Sequence, residues 1–109
     1  MRSIKTSKKY EKSRKRLSKR GKDLAILDSM IEILANRNLT SVEIKKYNDH
    51  PLKGNYAGYR ELHLINAVSD WLLIYRIIGN SIEIDDTILE LNNTGSHSDL
   101  YGSADLICL

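Results

Sequence analysis

The clearest feature of the chain is a change in the period of its apolar positions. Across 59–66 they alternate: Tyr59, Glu61, His63 and Ile65 point one way, Arg60, Leu62, Leu64 and Asn66 the other. A period of two predicts a strand with unlike faces. After a turn at 67–69, residues 71–78 are almost wholly apolar, the mark of a central strand covered by other structure. Gly79-Asn80-Ser81 signals a hairpin, and 82–91 returns as a strand that Asp85-Asp86 breaks or loops out. Thr94-Gly95 turns the chain, and 96–101 reads as one capped helical turn.

Upstream the period is helical. Thr6 and Ser7 are N-cap candidates for a helix to about Arg20, with Gly21 placed to end it. Its apolar stripe is narrow, Tyr10 and Leu17, and basic side chains cover most of the remaining surface. Asp23 caps a second helix in which Leu24, Leu27, Ile31 and Leu34 repeat at helical spacing, with Met30 widening the stripe. Residues 2–5 fit a short edge strand with Ile4 buried, and 41–46 fit a helical turn inside a connection. Pro51, Gly54 and Gly58 make the first half of 49–63 irregular.

This order predicts an α+β fold: a short N-terminal strand and a two-helix hairpin packed on a three- to four-stranded antiparallel sheet. One domain spans 1–101, and 102–109 is a loose C-terminal tail.

Composition adds constraints. A chain of 109 residues can bury one core, here aliphatic: 15 Leu and 13 Ile with no Phe, so aromatic packing falls to Trp71 and six tyrosines. Cys108 is the only cysteine, which excludes an internal disulfide and fits a reducing compartment. No signal-like segment opens the chain, and its longest strongly apolar run, 71–75, is too short to span a bilayer. The expected location is the cytoplasm, without membrane association. The net charge of +3 hides an asymmetry: residues 1–22 carry eleven Lys/Arg against Glu11, and the rest carries six against thirteen acids. A basic block beside an acidic body suits a polyanion or an acidic protein partner.

The candidate chemistry lies with His50, His63 and His97. Their spacing matches no compact metal motif, and no phosphate-binding glycine loop is present, so no metal and no cofactor are expected. Histidines and carboxylates on a sheet edge, near Lys53, Arg60 and Arg76, suit cleavage of an RNA phosphodiester. RNA brings its own nucleophile, the 2′-hydroxyl. The protein needs only a base, an acid and cations around the transition state.

Four ordered segments carry a resemblance: Asp49-His50-Pro51-Leu52-Lys53-Gly54, Gly58-Tyr59-Arg60-Glu61-Leu62-His63, Asp70-Trp71-Leu72-Leu73-Ile74-Tyr75 and Thr94-Gly95-Ser96-His97-Ser98-Asp99-Leu100-Tyr101. Together they resemble the YafQ branch of the RelE/ParE toxin superfamily, from the first strand to about Tyr101. The resemblance implies a RelE-like fold and the toxin of a type II toxin–antitoxin module, an endoribonuclease that cuts mRNA in the ribosomal A site. It implies a cognate antitoxin protein, contact with ribosomal RNA, and operator DNA bound only as the toxin–antitoxin complex. It casts His50, His63, Asp70 and His97 as the acid/base and positioning set, Trp71 as a pocket wall and Tyr101 as a base-stacking residue. Lys53 and Arg60 would hold phosphates.

The chain departs from the family pattern at Asn93, where an arginine is usual. Asparagine can hydrogen-bond a phosphate but cannot offer the charged fork, a role left to Arg76 or Arg60. Extra length at 65–69 and 79–86 and the tail 103–109 are further departures. Two alternatives therefore stand beside the nuclease: a weakened or inactive toxin acting through antitoxin and operator binding, and a ParE-like gyrase inhibitor.

Overall fold

The computed structural model describes residues 1–80 and 82–102. Strand β1 (Ser3–Thr6) leads into helices α1 (Lys8–Lys19), α2 (Leu24–Asn36) and α3 (Ser41–Lys46). Strands β2 (His50–Pro51), β3 (Arg60–His63), β4 (Leu72–Ile78) and β5 (Ile88–Gly95) follow, then the one-turn helix α4 (His97–Tyr101). The strands form one sheet in the order β1-β5-β4-β3-β2.

Local chemistry sets the helix ends. Ser7 caps α1 by accepting the Tyr10 N–H, and Asp23 caps α2 by accepting the Ala25 N–H. Thr40 and Glu43 form a reciprocal capping box on α3, as do Ser96 and Asp99 on α4. The α1 stop is a Schellman motif: Gly21 (φ +83°) donates to the Ser18 carbonyl and Lys22 to the Leu17 carbonyl. At the α2 end, buried Arg2 donates through its guanidinium to the carbonyls of Leu34 and Arg37. One cation of the N-terminal basic block is therefore spent inside the fold.

The sheet is covered on both faces. Leu73 and Tyr75 of β4 join Tyr10, Leu17, Leu27 and Leu34 in the helix-side core. Their neighbours Leu72 and Ile74 face the other way and pack with Leu52 and Tyr101. Two-sided burial explains the nearly continuous apolar run of β4, which only Arg76 interrupts. Each such side chain contributes about 1.5–3 kcal/mol through burial.

Several expectations change. The antiparallel part of the sheet, β2 to β5, has four strands, the upper end of the three to four expected, because β2 pairs with β3 inside a stretch expected to be irregular, and β1 joins as a fifth. β1 is an edge strand, but it runs parallel to β5 and leaves Ile4 43% exposed. The last strand begins at Ile88 and reaches Gly95, whereas Ile84–Asp86 is a single 3₁₀ turn. The register explains this: Ile78, the last residue of β4, pairs with Ile88, which leaves 82–87 as connection. Ser81 of the expected hairpin, and the tail 103–109 with Cys108, lie outside the described residues. Among the described residues no helix is long and apolar enough to cross a membrane.

Candidate active site

The three histidines come from a strand start, a strand end and a helix start, and they meet on the sheet face opposite α1 and α2. The His50 and His63 rings lie 6.3 Å apart, and those of His63 and His97 5.8 Å apart. His50 and His63 face each other because β2 and β3 are antiparallel, with His50 registered against Glu61. His97 arrives from β5 at the first position of α4, where Asp70 accepts both its backbone N–H and its ring.

Each ring is anchored through Nδ1. His50 donates to the Asn48 carbonyl at 2.6 Å and His63 to the Ser69 carbonyl at 2.7 Å. A carbonyl cannot donate, so these contacts place the proton on Nδ1 and leave Nε2 as the acceptor. His97 Nδ1 meets the Asp70 carboxylate at 2.8 Å. The hydrogen bonds from His97 hold the Asp70 carboxyl below the usual carboxylate range.

Glu61 lies beneath this trio. It is fully buried, and its Oε1 stands 3.9 Å from His50 Nε2 and 3.8 Å from His63 Nε2. Its other oxygen accepts the Tyr101 hydroxyl. A buried carboxylate between two imidazoles supports whichever ring takes a proton. Strand alternation already put Glu61 on the His63 face; an ionisable side chain in a strand bounded by buried leucines was the signal for its role. Asn48 is a second residue that sequence reasoning missed. It adopts φ +47°, a left-handed conformation that asparagine tolerates. From there its carbonyl anchors His50 while its side-chain amide lies 3.4 Å from His63 Nε2.

His50, His63, Asp70, His97 and Tyr101 are thus brought together. Tyr101 is 5% exposed, with its ring 6.2 Å from that of His97 and 5.7 Å from that of Tyr56. The remaining candidates lie elsewhere. Arg60 donates to buried Asp49 at 2.6 Å on the helix side, where Tyr75 also donates to Asp49. Burial and the neighbouring Asp49 push the Tyr75 phenol well above its ordinary range. Arg76 stacks over Tyr59 at 4.6 Å and pairs with Glu90 at 3.2 Å. Although burial disfavours its charge, Glu90 stays below the usual carboxylate range because the Tyr59 hydroxyl and Arg76 bind it. Asn93 accepts the buried Ser13 hydroxyl at 2.6 Å, tying β5 to α1. Trp71 packs in the helix-side core, its indole N–H donating to Thr94. Lys53 is exposed on the turn after β2 and has no ion pair among the described residues. Nor, among the described residues, does any group of three His, Cys, Asp or Glu side chains suit a metal ion.

The chain matches the family model for the bacterial toxin of type II toxin–antitoxin systems, YafQ, over residues 2–102. It belongs to the YafQ toxin family. The mRNA interferase toxin YafQ of Escherichia coli K12 is 36% identical over 101 residues, which is 93% of this chain and 97% of the relative. The crystal structure of YafQ from E. coli BL21(DE3) superposes with a TM-score of 0.73 at 32% identity, covering 94% of this chain and all of that one. YafQ in the E. coli DinJ–YafQ complex gives a TM-score of 0.70 at 34% identity, with the same coverage of both chains. The match supports the RelE-like fold and places the histidine cluster within the span that the YafQ family shares.

Proposed function

We propose that this YafQ-family toxin is an mRNA endoribonuclease that cuts by histidine acid/base chemistry on the ribosome. One imidazole Nε2 takes the 2′-hydroxyl proton as O2′ bonds to phosphorus, and a protonated imidazole gives its proton to the departing 5′-oxygen. The products are a 2′,3′-cyclic phosphate and a free 5′-hydroxyl. Rings about 6 Å apart can serve opposite sides of one phosphate. Asp70 orients His97 and supports its charged form, and Glu61 supports the charged form of His50 or His63. Tyr101 fixes Glu61 through its hydroxyl.

One observation carries this reading: three imidazole rings, each anchored through Nδ1, are gathered about 6 Å apart on one face of the sheet. Acid and base are each worth roughly 10²–10⁴ in rate. Single-turnover cleavage of mRNA on programmed ribosomes by His50→Ala, His63→Ala and His97→Ala tests it. If all three variants cut at the parent's rate, the acid/base assignment is wrong.

The exposed basic side chains of α1, Lys8, Lys12, Lys15 and Lys19 among them, suit sequence-independent, salt-sensitive contact with ribosomal RNA. A cognate antitoxin is the expected partner: the DinJ–YafQ complex pairs a related toxin with a second protein. Operator DNA would be met only through that complex. A ribosomal substrate places the work in the cytoplasm. The uncharged Asn93, already committed to Ser13, favours one second reading, a catalytically weakened toxin. Asn93→Arg separates the two, since a large gain in cleavage would show that the parent lacks a cation.

A further inference from the structure

A phosphoryl-transfer site needs a fixed positive charge, and the histidine cluster is lined mainly by acids: Glu61, Asp70 and, two residues along α4 from His97, Asp99. Arg60 and Arg76 are held by Asp49 and Glu90. The cations on the His97 side are Arg20 and Lys22, at the end of the basic helix. With Asp70, Trp71, Ser96 and Asp99 they line a cavity of about 160 Å³. Asp70 is also the acceptor for His97, so this cavity opens beside a candidate catalytic ring.

The two cations differ in kind. Arg20 pairs with Asp99 at 3.2 Å, a match that largely cancels both charges. Lys22 has no carboxylate partner among the described residues. Its ammonium sits 5.6 Å from the Trp71 ring centroid, a cation–π geometry that holds the charge without neutralising it. Three separate features place it. Gly21 in the left-handed region makes the Schellman stop that fixes the Lys22 backbone through the Leu17 carbonyl. Thr94 accepts the Trp71 indole N–H and fixes the ring plane. Asp70 and Trp71 are adjacent in sequence, so the residue that orients His97 and the ring beneath Lys22 move as one unit.

We propose that Lys22, positioned by Trp71, is the phosphate-binding cation of the cleavage site on the His97 side, taking an RNA phosphate next to the scissile bond. Trp71 is then a positioning residue that acts through Lys22 from the helix-side core, without touching the substrate. The inference rests on the nuclease reading above, because it names the charge that such a reaction requires.

The test uses the full-length toxin, mRNA-programmed ribosomes, and two messages: one cleavable, one carrying a 2′-deoxy nucleotide at the cut position. Lys22→Met keeps an unbranched apolar chain over Trp71 and removes only the charge; Lys22→Arg keeps the charge. Losing one charge-assisted hydrogen bond to a phosphate corresponds to roughly 10- to 100-fold. Lys22→Met should lose that much in single-turnover rate or in affinity for the uncuttable message, with its melting temperature unchanged. Lys22→Arg should stay within about threefold. Trp71→Phe should weaken the parent but add little to Lys22→Met, the non-additivity expected of residues acting as one unit. If Lys22→Met matches the parent in both rate and affinity, the proposal is overturned while the nuclease reading stands. If the parent binds but never cuts, the nuclease reading fails, and Lys22 is judged on affinity alone. A parent that neither binds nor cuts removes both.

Discussion

Replacing Glu61 by glutamine removes one charge from the centre of the site and almost nothing else. The side chain is fully buried, receives the Tyr101 hydroxyl, and lies 3.8–3.9 Å from two imidazole Nε2 atoms. Glutamine keeps the volume, still accepts from Tyr101 through its carbonyl, and offers its NH₂ to Nε2 atoms that are acceptors in the resting tautomers. Folding stability should therefore change by no more than about 1 kcal/mol. Catalysis should respond differently. A ring that holds a proton during the reaction interacts with the carboxylate by about 4 kcal/mol at this separation and an effective dielectric near 20. Water entering with the substrate reduces that, so a loss of roughly 10²- to 10³-fold in the single-turnover rate is the expectation. The assay pairs that rate with a thermal melt of the same preparation. A Glu61→Gln variant that melts with the parent and cuts as fast would refute the argument, because the buried charge would then play no part in proton transfer. A variant that unfolds would locate the role of Glu61 in the second core instead.

Arg60→Ala should cost about 2–4 kcal/mol of stability, since it leaves the Asp49 carboxylate, 2% exposed, without its cation; a melt checks this, and the cleavage rate per folded molecule should hold. Asn93→Ala strands the buried Ser13 hydroxyl and the Thr94 N–H, for about 1–3 kcal/mol; a lower cleavage rate with an unchanged melt would instead make Asn93 a substrate contact. Glu43 is held at about 2, below its ordinary 4.5, by Arg37 and the Thr40 N–H. A depressed carboxyl stabilises the fold above its unfolded value and loses that contribution as pH falls through the folded one. Glu43→Gln should therefore melt below the parent at pH 7 and converge with it near pH 2; a gap that stayed constant with pH would contradict the assignment.

Much of the fold was legible in the chain because local chemistry specifies it. The caps read at Ser7 and Asp23 each sit before a helix in the fold, and the capped turn read at 96–101 is α4. The leucine spacing of α2 survives because the helix has one buried face to satisfy, and the alternation of β3 because Leu62 packs in the helix-side core while Glu61 and His63 are buried on the other face. The misreadings share a cause: they depended on a partner far along the chain. Residues 82–86 alternate apolar and acidic positions as a strand would, yet Ile82 is 98% exposed. Pairing of Ile78 with Ile88 leaves 82–86 no partner strand among the described residues, and alternation without a partner does not make a strand. β1 shows the converse. All four of its residues are exposed, so the edge strand expected at 2–5 exists without the buried Ile4 read there, and its place follows from pairing with a strand 85 residues away. The brief β2 pair is likewise set by β3, since Pro51 and two glycines promise only a loop.

The site divides along the same line. Residue type was enough to single out the histidines, and the topology then brings His50, His63 and His97 to one sheet face. Type was not enough for the cations, because a positive charge in a sequence does not say whether it is spare. Arg60 and Arg76 both stand near the right stretch of chain, and both are consumed, by a buried aspartate and by a glutamate that also binds Tyr59. Strand parity had already turned Arg60 to the face opposite His63, and Asp49 is what it meets there. Lys22 read only as the last residue of a solvated basic block. Its distinction is three-dimensional: a glycine stop aims it, an indole holds it, and among the described residues no acid pairs with it. A charge with those properties beside an Asp70–His97 pair is available to a phosphate at little reorganisation cost, which the better-placed arginines are not.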